Sequence, residues 1–105
     1  MNDNKKEQKW AKELSSSCGI NQSTLQSALE ELSESCHGDS ATSKKVIEEL
    51  TLSCHFNEED MRIFIRDVSR NCPVDVKKLQ EEVHSAQGRK DEAYKAINRT
   101  IKPLL

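Results

Sequence analysis

Four cysteines, Cys18, Cys36, Cys54 and Cys72, stand 18 residues apart, and histidine directly follows two of them, at His37 and His55. Thiols beside imidazoles can ligate a metal, act as activated nucleophiles or exchange disulfides, so this ladder is where chemistry is sought first. A structural zinc site draws its ligands as close pairs such as Cys-x2-Cys, and the chain contains none. Consecutive helical residues point about 100° apart, which leaves His37 badly placed as a base for Cys36, and His55 for Cys54. A helix C-terminus favours a cation and disfavours a thiolate, so the histidines read as chain-ending, dipole-compensating residues. The thiols read as small apolar groups packed where helix ends converge, and a disulfide of the kind Cys18–Cys54 as a stress product.

The carboxylate pairs Glu30-Glu31, Glu48-Glu49, Glu58-Glu59 and Glu81-Glu82 are the other candidates for acid–base work. They lie off the apolar stripe described next, which predicts solvated helix faces. Phosphate loops, nucleophile elbows, paired-histidine helices and calcium loops are missing from the sequence. The sequence therefore predicts no catalytic residue, no metal ligand and no cofactor, hence no enzyme.

The elements that carry these residues share the cysteine period. Seven residues before each Cys stand Ala11, Leu29, Ile47 and Ile65; four before stand Leu14, Leu32, Leu50 and Val68; three before stand Ser15, Ser33, Thr51 and Ser69. A fifth block keeps Val83 and Ala86 but carries Lys90 in place of Cys, as a terminal unit would. Spacings of three, four and seven return to one side of a helix. Gly19, Gly38, Pro73 and Gly88 interrupt what would otherwise be one long helix. Caps are expected at Ser23 or Asn21, Asp39 or Thr42, Asn57 with Asp60, and Asn71 or Cys72. The expected fold is all-α: a compact bundle or short solenoid of about five to six short antiparallel helices, built on an 18-residue unit, two units to a hairpin. Helices are expected near 4–17, 22–36, 41–54, 57–71, 73–87 and 89–102, with residues 1–8 a polar, fraying lead and 9–105 one helical domain. Antiparallel succession places Cys18 and Cys54 at one end and Cys36 and Cys72 at the other.

Composition bounds the function. Of 105 residues, 34% are hydrophobic and only 4% aromatic, against 32% charged, which predicts a thin aliphatic core without a large buried cavity. No apolar run reaches the roughly 18 residues of a membrane span. The polar opening residues lack the apolar segment of a secretory signal, so an intracellular location, cytoplasmic or nuclear, is expected. With 16 basic and 18 acidic residues the net charge is -2, and no global field draws nucleic acid. What remains is surface. The expected function is a non-catalytic protein–protein interaction module, an adaptor or regulatory domain, receiving a peptide or amphipathic helix at Trp10, Phe56, Tyr94, Leu104 and Leu105. The alternative is a small nucleic-acid-binding domain using Lys77, Lys78, Arg89, Lys90, Lys95, Arg99 and Lys102, although Asp75, Glu81, Glu82, Asp91 and Glu92 interrupt that set. A cysteine-based metal- or redox-responsive module is the third reading.

Overall fold

Polar side chains start three of the helices. Asp39 accepts from the Thr42 N–H at 3.0 Å, and Asp75 from the Lys78 N–H at 3.0 Å. Asn57 and Asp60 form a reciprocal capping box, each side chain accepting the other's backbone N–H at 2.9 and 3.0 Å. Asn21 occupies the equivalent place before the second helix without a side-chain cap, and its N–H instead donates to Glu58 at 3.0 Å. Behind these starts the computed structural model, which describes residues 2–72 and 74–101 with side chains from Glu7 onward, forms six helices. They are α1 (Asn2–Cys18), α2 (Gln22–Glu30), α3 (Ser40–Glu48), α4 (Glu58–Asn71), α5 (Val76–Ser85) and α6 (Lys90–Ile101), with no strand among the described residues.

Two helices end alike. α2 widens into a π-helical turn over Glu31–Ser35, and α3 does so over Glu49–Ser53. The N–H of Cys36 then reaches the Glu31 carbonyl at 3.0 Å and that of Gly38 the Leu32 carbonyl at 2.8 Å; Cys54 and Phe56 make the same bonds to Glu49 and Leu50 at 2.9 Å each. Between those donors His37 and His55 take φ of 60° and 63°, the left-handed conformation that lets the chain leave a helix and that usually falls to glycine. The start of α5 differs from the sequence reading. Asp75, rather than Asn71 or Cys72, is the cap, so the helix begins at Val76 and three residues join α4 to it after Cys72. Pro73 lies outside the described residues.

The predicted stripe is the core. Leu14, Leu32, Leu50 and Val68 are buried, as are Ala11, Leu29 and Ile47, while Ile65 is half-buried. Helices pack on their neighbours in sequence, α1 on α2 and α5 on α6, and also on the next but one, α2 on α4 and α3 on α5. The radius of gyration is 12.5 Å, close to the roughly 13 Å of a folded chain this size. The molecule is a compact all-α bundle of short helices.

The cysteines depart from uniform core packing. Cys36 and Cys72, end residues of α2's π turn and of α4, are joined as a disulfide with Cα atoms 5.0 Å apart, inside the usual range for such bridges. They occupy one end of the bundle because alternate helices run parallel. Cys54 is fully buried and Cys18 half-buried, both as free thiols.

Candidate functional site

At the C-terminal end of α3, residues Lys45, Glu48, Glu49 and Leu52 recur at helical spacings of three, one and three, so they share one face. Trp10, Glu13, Leu14 and Ser17 do the same on α1. Gln80 and His84, four apart on α5, supply a third strip. These faces bound an open groove. One part, about 460 Å³, is lined by Lys45, Glu48, Glu49, Leu52, Ser53, Gln80 and His84. A second part, about 190 Å³, lies against Trp10, Glu13, Leu14 and Ser17 and shares Glu48 and Leu52 with the first. Leu52 stands where they meet and is 49% exposed, the sole large hydrophobic residue so open among the described residues.

Polar contacts fix the walls. The Trp10 indole Nε1 donates to Glu48 Oε2 at 2.8 Å, and Lys44 Nζ lies 6.0 Å from the ring centroid, at the edge of cation–π range. His84 Nδ1 and Glu49 Oε1 are 2.8 Å apart and bridge α5 to the turn after α3. A carboxylate–imidazole pair with Ser53 on the same groove resembles the parts of a hydrolytic triad, but no hydrogen bond joins Ser53 to His84, whose side chain is 73% exposed. Water at such an exposed pair weakens the electrostatic advantage that a nucleophile needs. Among the described residues no three His, Cys, Asp or Glu side chains cluster closely enough to hold a metal ion. No helix among the described residues is long and apolar enough to cross a membrane.

The structure sorts the other candidates. Trp10 is half-buried and lines the groove. Phe56 is a correction: at 2% exposure it is core, because the residue two after Cys54 turns inward beneath the α4 start, leaving no surface for a partner. Tyr94 stacks on Phe56 with ring centroids 5.0 Å apart, and its hydroxyl donates to Asp60 at 2.6 Å. That engagement makes Tyr94 a tie between α6 and α4. Burial and then the Asp60 carboxylate push the Tyr94 hydroxyl well above the ordinary tyrosine value. Partial burial acts to raise Asp60, but hydrogen bonds from Lys90, Tyr94 and the Asn57 N–H outweigh it and hold that carboxyl below its usual range. Leu104, Leu105 and Lys102 lie outside the described residues.

The basic set is largely engaged. Lys90 Nζ is 2.7 Å from Asp60, Lys95 is 3.5 Å from Glu92, Arg99 is 3.4 Å from Glu82 and Arg89 is 3.9 Å from Asp91. Lys77 and Lys78 are exposed on the first turn of α5.

Leu52, Glu48, Glu49 and His84 form one site that the sequence pattern does not mark as such. A clue was present for Leu52: two residues before each Cys stand Ser16, Glu34, Leu52 and Arg70, so one apolar side chain interrupts a polar column. His84 carries no comparable mark, since its partner is 35 residues away. No family model, curated protein or solved structure matches the chain.

Proposed function

We propose that this chain is a non-catalytic helical interaction module that receives an amphipathic helix of a partner protein in the groove between α1, α3 and α5. The observation that carries the reading is Leu52, exposed at the junction of two hollows whose walls are helix faces, with the half-buried Trp10 beside it. An apolar side chain of a partner covering Leu52 removes that surface from water, and aromatic residues at such junctions are frequent anchors. Charge selects the occupant. The rim carries Glu13, Glu48 and Glu49 against Lys45, so a helix with lysine or arginine flanking its apolar face complements it. Engagement of Lys90, Lys95 and Arg99 with carboxylates supports this reading over nucleic-acid binding, because a phosphate contact at any of these three would first have to break a surface ion pair.

The finer architecture of the proposal is a unit of 18 residues used four times. Its supports are helix starts at Asn21, Asp39, Asn57 and Asp75, helix ends at Cys18, Cys36, Cys54 and Cys72, and left-handed residues at Gly19, His37 and His55. A unit that cannot bury its own apolar stripe must stack on others, and the side chains left over on the outer faces are free to diverge into a binding surface.

The test is titration of a short leucine- and lysine-patterned helical peptide against the fluorescence of Trp10, the single tryptophan. Saturable binding is expected, weakened about tenfold or more by Leu52→Glu with thermal stability unchanged, and indifferent to Lys77→Glu with Lys78→Glu. Failure of the peptide to bind, together with duplex DNA or RNA binding lost in the lysine variant, overturns the reading in favour of nucleic acid.

A further inference from the structure

We propose that Cys36–Cys72 is a redox site: a clasp that reacts with external dithiols and whose state determines how firmly the N-terminal end of α5 is held. The bridge joins the end of α2's π turn to the end of α4 across 36 residues of chain. Immediately beyond each cysteine lies the seat of α5. After Cys36 the chain passes through His37 to Gly38, whose Cα approaches so closely that an added Cβ would stand 2.6 Å from Val76 Cγ2. After Cys72 it runs through Val74 to Val76, both buried. One covalent bond therefore secures both pieces of backbone that form this corner.

The two sulfurs are not equally open. Cys36 is buried at 4% exposure and Cys72 is half-buried, so an incoming thiolate meets Cys72 first. It bonds to the Cys72 sulfur, the Cys36–Cys72 bond breaks, and the electron pair leaves on the Cys36 sulfur, which takes a proton. The second thiol of the dithiol then attacks the mixed disulfide. Cys72 leaves as a thiol, and the reductant departs as its own cyclic disulfide, two electrons and two protons having passed to the protein. Cys54 takes no part: burial pushes its thiol up from the ordinary value, and it is fully enclosed.

Closing a loop of this length restricts the unfolded chain strongly, so the redox state has a measurable thermal effect. The experiment uses the full chain purified without reductant. Thiol titration in denaturant is expected to find two free thiols before treatment with dithiothreitol and four after it. Reduction is expected to lower the melting temperature by about 10 °C or more, and to speed amide exchange over residues 76–83 more than over 22–29. Cys72→Ser is expected to melt at the lower temperature with or without reductant, whereas Cys54→Ala keeps the full response. Four free thiols in the untreated protein overturn the proposal. So does a melting temperature indifferent to dithiothreitol in the wild-type chain, a result that needs no variant to fold, and so does exchange that rises equally in both segments.

Discussion

Replacing Gly38 with alanine adds one methyl group at the tightest contact around any glycine of this bundle. The new Cβ would lie 2.6 Å from Val76 Cγ2, 2.8 Å from Val76 Cβ and 2.9 Å from the Leu32 carbonyl oxygen, where ordinary carbon–carbon contacts begin near 3.5 Å. Rotating Val76 relieves only the first of these, since its Cβ moves with the backbone. Leu32 cannot retreat freely because its carbonyl accepts the Gly38 N–H at 2.8 Å and closes the helix. The first turn of α5 must shift outward by several tenths of an ångström, and overpacking of this kind costs about 1–3 kcal/mol. Alanine restricts the unfolded chain relative to glycine, which returns about 0.4–1 kcal/mol. Gly38 is not among the glycines with positive φ, so no backbone strain is added. With three sub-van-der-Waals contacts placing the cost in the middle or upper part of its range, the expected net loss is about 1–2 kcal/mol, read as a lower urea midpoint at unchanged slope. In a Val76→Ala background the penalty is expected to shrink, because the closest of the three atoms has gone. Stability within about 0.5 kcal/mol of wild type would falsify the packing of α5 on this turn.

Other consequences follow from equally specific features. His37→Gly and His55→Gly each relieve a left-handed backbone on an exposed side chain and are expected to raise stability by up to about 1 kcal/mol in the same urea assay; a loss at both sites contradicts the described helix ends. Leu32→Ala and Leu50→Ala are each expected to cost about 2–5 kcal/mol, whereas Leu52→Ala changes stability by no more than about 0.5 kcal/mol. Stability is also expected to fall at both extremes of pH, measured by thermal melts. Asp39, through its hydrogen bonds with Thr42, and Glu58 and Asp60, where hydrogen bonds outweigh burial, are held below their ordinary values of 3.8, 4.5 and 3.8. Their contribution is complete above those values and is lost as pH falls through the lowered ones. Tyr94 and Cys54 are raised above ordinary values of 10.0 and 9.0, chiefly by burial, so their contribution is complete below pH 9 and is lost as pH rises beyond it. Tyr94→Phe is expected to remove much of the alkaline loss.

The helices were legible because Leu14, Leu32, Leu50 and Val68 keep the spacing of one helical face, and all four are buried. Helix ends were harder to place. Pro73 points to an earlier start for α5 than the Asp75 cap gives it, although the Cys-x-x-Asx spacing of Cys18-Asn21, Cys36-Asp39 and Cys54-Asn57 extends to Cys72-Asp75. The same register marks Phe56 as interior, since Ile20 and Val74 hold its place after other cysteines and both are buried. The π turns depend on which carbonyl the final N–H groups reach, and side-chain pattern does not report that. The groove was hidden for a different reason: its residues come from three helices, and only the packing of α1 and α5 against α3 brings Trp10 and His84 to the two sides of Leu52. The disulfide was half visible, in that antiparallel succession puts Cys36 and Cys72 at one end, but the 5.0 Å separation belongs to the packing of α2 on α4.

The most direct test of the groove as the working surface is an amide-resolved NMR titration of the isotope-labelled chain with the leucine- and lysine-patterned peptide. The account predicts saturable shifts concentrated at Trp10, Lys45, Glu48, Leu52, Ser53, Gln80 and His84, with the indole N–H of Trp10 among the largest. Shifts centred instead on Lys77, Lys78 and Arg99, or no saturable shift along the groove, would contradict it.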